Sequence, residues 1–270
     1  MASDWIVVEC RAVGCRAELY LNDIPVARAG FDMATATTMP VNQYVVTGAN
    51  EFAVVVKPGP TPAQALEPAP KPEAAGGLAV TATVSQYRRN SVSGDGSGVV
   101  LATIAWIGKG GDELEQFPVR LTAPMSVPLE LGPWQWQGAE PLTLDQPTID
   151  HVGVLIEAIR SGLAAGDPRS FLELGSMSLR EIARAFGDSP EAGANVLRAL
   201  VDDGRQAPHW RFPPVPRDRW SLRLVAGGRM IECVDADWEP IVRSITDAED
   251  NSFSMPMFVG RTATGWSVMR

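Results

Sequence analysis

The period of the apolar residues changes at Pro147, and this change constrains the chain to two folding units of different class. Up to Gln146 the apolar residues come in short runs rich in branched and aromatic side chains. Trp5-Ile6-Val7-Val8-Glu9, Ala17-Glu18-Leu19-Tyr20-Leu21, Asn42-Gln43-Tyr44-Val45-Val46 and Glu51-Phe52-Ala53-Val54-Val55-Val56 all read as strands. Asn22-Asp23 and Gly48-Ala49-Asn50 supply turn residues that tolerate left-handed backbone or bond their own main chain. Strand patterning resumes over residues 78–84 and 99–107, and Phe117-Pro118-Val119-Arg120-Leu121 and Trp134-Gln135-Trp136-Gln137 are expected to complete the sheets. Short strands joined by tight turns predict an antiparallel β-sandwich over residues 1–146.

Residues 58–77 interrupt this pattern with Pro58-Gly59-Pro60 and Pro68-Ala69-Pro70-Lys71-Pro72, which form neither a continuous ladder nor a helix. An exposed, semi-extended loop inserted into one sandwich is the expectation. The glycine-rich segments 91–98 and 108–111 lack the strand-to-helix order of a nucleotide-binding loop and are expected to be hairpin turns. Leu19-Tyr20-Leu21-Asn22-Asp23-Ile24-Pro25-Val26-Ala27, together with the Gly48-Ala49-Asn50 turn and the run that follows it, resembles the galactose-binding-like jelly-roll modules that accompany many glycoside hydrolases. That resemblance implies a sandwich and carries no catalytic residues.

From Pro147 the pattern turns helical. Thr148 or Asp150 is positioned to cap a helix carrying Ile149, Val152, Ile156, Ile159 and Leu163 on one face until Gly166-Asp167-Pro168 ends it. Ser178-x-x-Glu181 fits a capping box for a second helix, with Ile182, Ala183 and Phe186 inward. A third follows Ser189-Pro190, with Val196, Leu197, Leu200 and Val201 as its apolar stripe. Then a hairpin is expected from residues 220–226 through Gly227-Gly228 to 230–234, and another at the end of the sequence. Helices followed by strands predict an α+β domain over residues 147–270, with helices packed on a curved antiparallel sheet. The opening helix running into Leu163-Ala164-Ala165-Gly166-Asp167, with the last Gly-Trp-x-Val strand, resembles the cone-shaped fold of the nuclear transport factor 2-like superfamily. That superfamily includes enzymes and non-catalytic binding proteins, so the resemblance implies a fold and no particular activity. The predicted fold class is thus mixed, a β-sandwich followed by α+β.

A net charge of −9 and the lack of any Lys/Arg run argue against nucleic acid as a partner. Cys10, Cys15 and Cys233 are too few and scattered for a zinc ribbon or a disulfide scaffold, and read as reduced thiols. Bridging Cys10 to Cys15 would require a turn at Val13-Gly14. Met1-Ala2-Ser3-Asp4-Trp5 lacks a secretion-signal pattern, and no stretch has the apolar length of a membrane span, so a cytoplasmic location without a membrane partner is expected.

His151 and His209 are the chain's two histidines and belong to no metal-ligand motif; no metal or other cofactor is expected. A Gly-x-Ser-x-Gly elbow is absent. Asp145, Asp150, Asp235 and Asp237 form a carboxylate pair only if the fold brings two of them to a defined separation. Asp235-Ala236-Asp237 departs from calcium-loop spacing at Trp238 and Pro240. The candidate ligand-binding residues are Trp134 and Trp136, whose alternation in a strand gives either core packing or a stacking platform, together with His209 and the arginines Arg217 and Arg219 beside Trp220. The leading expectation is a non-enzymatic, bacterial-type cytoplasmic binding or protein-interaction protein of unassigned specificity, with a protein as one class of partner. The alternatives are a hydrolase or lyase with a pocket in the C-terminal domain, and carbohydrate or small-molecule binding, with sugar taken by the sandwich.

Overall fold

A computed structural model describes residues 4–30, 36–57, 77–89, 97–108 and 118–270. The chain packs into two compact units, Met1–Pro133 with Ala185–Gly187, and Trp134–Arg184 with Asp188–Arg270. The junction precedes the change of period at Pro147 because the segment after Pro133 bonds within the second unit. Glu140 N donates to Arg261 O, and Leu142 N to Gly228 O.

The first unit is two four-stranded antiparallel sheets. β1 (Trp5–Val13), β4 (Ala36–Pro40), β6 (Ala79–Tyr87) and β7 (Val99–Ile107) form one, in the order β4-β1-β6-β7. β2 (Arg16–Leu21), β3 (Ile24–Ala29), β5 (Gly48–Lys57) and β8 (Val119–Val127) form the other, in the order β3-β2-β5-β8. Pairing of Leu19 with Val54 and of Leu21 with Phe52 puts these fully buried side chains on one face, while Ile6, Val8, Ala82 and Val84 fill the core from the other sheet. Asn22 (φ 51°) and Asp23 (φ 63°) both take left-handed backbone between β2 and β3, the conformation a two-residue hairpin turn requires. Asn50 locks the turn before it: its Oδ1 accepts from Val46 N, and its Nδ2 donates to Val46 O and Gly48 O.

The run Asn42-Gln43-Tyr44-Val45-Val46 is not a strand. Asn42–Tyr44 form a 3-10 turn, because the buried Asn42 amide takes up main-chain groups that a ladder would need, accepting from Ile6 N at 2.7 Å and donating to Asp4 O. The Pro/Ala-rich loop expected at 58–77 and the glycine-rich turns at 91–98 and 108–111 lie almost wholly outside the described residues.

In the second unit α1 (Gln146–Ala164), α2 (Arg169–Leu174), α3 (Ser176–Phe186) and α4 (Ala192–Gly204) precede the antiparallel sheet β14-β13-β10-β9. Its strands are β9 (Trp220–Val225), β10 (Met230–Asp235), β13 (Phe258–Thr262) and β14 (Gly265–Val268). β11 (Val242–Arg243) and β12 (Ser254–Met255) make a separate pair. Asp145, not Thr148 or Asp150, caps α1 by accepting from Thr148 N, with Pro147 in the first turn. Val152, Ile156, Ile159 and Leu163 then face Ile231, Cys233, Ile241, Val259 and Val268 across one core.

Two helical expectations change. Ser178 lies inside α3, and Glu181 is buried and bonded to Gln135 N and Arg270, so the pair makes no capping box. On α4 Leu197 and Val201 are buried, whereas Val196 and Leu200 are 59% and 48% exposed. Neighbouring positions on a helix point about 100° apart, and one narrow contact cannot cover both pairs. Trp266 is partly buried against this core and stacks on the exposed His151, ring centroids 4.9 Å apart. Among the described residues no helix is long and apolar enough to cross a membrane.

Candidate functional site

The second unit holds an open cleft of about 220 Å³ between α1 and the chain leading into β9. Gly153, Glu157 and Arg160 recur on α1 at intervals of four and three, so they form one ridge beside the core-facing stripe. Pro214, Val215, Arg217 and Trp220 build the opposite wall, and the buried Ile156 and Ile241 of the core close its floor. Trp220 is fixed at its edge, its Nε1 donating to Val215 O at 3.0 Å. The Arg217 guanidinium lies 5.4 Å from the centroid of the Trp220 ring.

Gly153 makes this placement possible. A Cβ on it would stand 2.6 Å from Arg217 Nη2 and 3.4 Å from the Trp220 ring. In Gly153→Ala the guanidinium, at the end of a flexible and exposed side chain, is expected to swing away. The helix itself should gain roughly 0.5–1 kcal/mol from the better helix former. Thermal unfolding should therefore stay level or rise while the Trp220 indole N–H resonance moves. An unmoved resonance would refute the contact.

The cleft's charges are unequally committed. Arg160 spends its donors on Glu157, through Nε at 2.8 Å and Nη2 at 2.5 Å, and on Phe212 O. These Arg160 bonds first, and the Ser161 hydroxyl second, hold the Glu157 carboxyl down at about 2, from an ordinary 4.5. Because the folded value is lowered, the associated stability is complete above about 4.5 and is lost as pH falls toward about 2. Glu157 is more than half exposed, so solvent keeps that contribution small. Carboxyl titration by NMR should place its midpoint far below that of exposed glutamates. Arg217, by contrast, makes one ion pair, Nη1 to Asp150 Oδ1 at 2.7 Å, with both side chains over half exposed.

The structure scatters the other candidate residues. Trp134 and Trp136 do not alternate along a strand: Trp134 precedes a 3-10 turn over Gln135–Gly138. They are 2% and 7% exposed and offer no open ring face for a sugar. Trp134 packs against the Arg184 and Arg270 guanidinium groups, and Arg270 is bonded in turn to Glu181. His209 Nδ1 lies 3.2 Å from Asp247 Oδ2, where Asp247 also accepts from Glu249 N and Asn251 N and so organises a loop. Arg219 pairs with Asp237 at the surface. Only Arg217 of the five candidates lines the cleft.

The four aspartates are likewise separately engaged. Asp145 caps α1, Asp150 meets Arg217 and Asp237 meets Arg219, while Asp235 accepts from Asp237 N, Glu239 N and Arg243 Nη2. Asp235 thus closes a protein loop with the oxygens that a cation would need. Among the described residues no group of three or more His, Cys, Asp or Glu side chains is placed to hold a metal ion.

Gly153, Glu157 and Arg160 were not expected at a site. Their helical spacing was readable, but their partners lie some sixty residues on and only the fold joins them. The same holds for a second polar cluster on the outer face of β2. There buried Glu18 accepts from Tyr20 Oη at 2.5 Å and from Arg28 Nε and Nη2. The chain matches no protein-family model, no curated protein and no solved structure.

Proposed function

We propose that this is a non-enzymatic binding protein that seats a side chain of a protein partner in the α1 cleft. The observation that carries this reading is the Arg217 guanidinium held over Trp220 beside an apolar wall and tied, among the described residues, only by an exposed ion pair. Water screens so exposed a pair, so a ligand group can replace Asp150 at small cost. The cleft, about 220 Å³, is smaller than the roughly 300–1,000 Å³ of sites for drug-sized ligands, which favours one residue of a larger partner. Glu157, kept ionised by Arg160 and Ser161, is unsuited to donate a proton near neutrality.

In this reading the location is cytoplasmic, which suits three free, buried thiols. Burial pushes Cys10 up to about 12 and Cys15 up to about 11, so neither is a ready thiolate. We read the sandwich as jelly-roll-like and the second unit as related to the nuclear transport factor 2-like cone. The paired four-stranded sheets and the order of helices before an antiparallel sheet support these likenesses.

Random peptides displayed with blocked and with free carboxyl ends should enrich on the protein and not on Gly153→Leu, whose side chain enters the cleft. Enrichment that survives this substitution, or none on either protein, would refute the reading.

A further inference from the structure

We propose that the cleft recognises the carboxy-terminal residue of a partner polypeptide, with its apolar side chain against Pro214, Val215 and the Trp220 ring and its free carboxylate on Arg217. This rests on the binding reading above and specifies the group bound.

The charge inventory of the cleft points to a single carboxylate. Arg160 is saturated by Glu157 and Phe212 O, which leaves Arg217 as the cation able to change partners. Among the described residues Arg217 bonds through Nη1 alone, to Asp150, and its other N–H groups have no protein acceptor. A guanidinium presents paired N–H groups at the spacing of carboxylate oxygens, and here the Trp220 ring sets its plane. Asp150 is not stranded by the exchange, since it is exposed and also accepts from Gln146 Nε2 at 3.0 Å.

The apolar lining distinguishes a chain end from an acidic side chain. Aspartate and glutamate place the carboxylate at the tip of one or two methylenes, so the group that reaches Arg217 is the only one that enters. A terminal leucine, isoleucine, valine or phenylalanine carries its carboxylate and a full apolar side chain on the same Cα, and both surfaces are satisfied together. A polypeptide is favoured over a free small acid by the neighbouring strand. β9 starts at the cleft residue Trp220 and among the described residues pairs with β10 alone, so its outer edge offers main-chain groups to the residues preceding a bound chain end.

The test is titration of the full chain, followed by the Trp220 indole N–H resonance, with three probes: an acetylated tripeptide ending in leucine as the free acid, the same peptide as the amide, and N-acetyl-leucine. The free acid should bind at least tenfold more tightly than the amide, and Arg217→Gln should abolish that difference. N-acetyl-leucine should bind more weakly than the tripeptide acid. Equal binding of acid and amide would overturn the chain-end proposal and leave the cleft reading intact. N-acetyl-leucine as tight as the tripeptide would overturn it in favour of a free small acid. No response of Trp220 to any probe would remove both readings.

Discussion

Trp210→Ala should destabilise the second unit by about 3–5 kcal/mol, the usual cost of emptying a large aromatic site, before any lost hydrogen bond is counted. Trp210 is 7% exposed and stands where three segments converge. Its ring meets Phe212 edge-on at 5.1 Å and Phe253 at 5.0 Å. Its Nε1 donates to Leu163 O at 2.9 Å, in the last turn of α1, an oxygen that also accepts from Gly166 N. At the end of α4, Gly204 leaves the ring its space, since a Cβ there would lie 2.3 Å from it. For a unit of this size the loss corresponds to a fall in Tm on the order of 10–20 °C. Trp210→Phe keeps most of the packing and loses the donor, so its cost should be nearer 1–2 kcal/mol. Trp266→Ala is the internal comparison, because that indole is only partly buried. Calorimetry showing Trp266→Ala as damaging as Trp210→Ala would refute this placing of the core.

Trp210 also shows where sequence reading ends. The α1 stripe was legible because a helix repeats its buried face every three or four residues, and the Gly227-Gly228 hairpin because two left-handed residues in succession favour glycine. The Asn22-Asp23 turn was legible for the same backbone reason. Asn42 and Glu181 were misread as parts of a local strand and a local cap. Their side chains bond to main chain far away in sequence, at Ile6 and at Gln135. The site was legible only as fragments: Arg217 and Trp220 could be noticed as a cation beside an aromatic ring, but the vacancy at Gly153 that admits the guanidinium has no signature of its own. Trp134 and Trp136 alternate as a strand pair would, but a 3-10 turn over Gln135–Gly138 breaks that alternation.

Asp235→Ala should cost the same unit about 3–5 kcal/mol, although the residue stands in a loop-like Asp-Ala-Asp sequence that composition assigns to solvent. Its side chain is 0% exposed. Oδ1 accepts from Asp237 N at 2.8 Å and from Glu239 N at 3.1 Å, and Oδ2 accepts from Arg243 Nη2 at 2.6 Å. The Asp235 main chain closes the same loop, its N–H donating to Glu239 O at 2.9 Å. These bonds hold Trp238 in left-handed backbone at φ 66°, a conformation costing on the order of 1–3 kcal/mol, with its indole buried near the Arg223 guanidinium. Alanine would release two N–H groups and an arginine at once, leaving the main-chain bonds Asp235 N to Glu239 O and Trp238 N to Asp235 O to hold the strained turn. Asparagine separates the two roles. Its amide oxygen can still accept from Asp237 N and Glu239 N, but its NH2 group faces the Arg243 donors, so Asp235→Asn should fall between wild type and alanine. Added calcium should leave wild type no more stable if the carboxylate serves the loop. Thermal unfolding of wild type and both variants with and without calcium decides: an asparagine variant as stable as wild type would remove the Arg243 pair from the account, and a calcium-dependent rise in wild type that the alanine variant loses would show the oxygens to be a cation site after all.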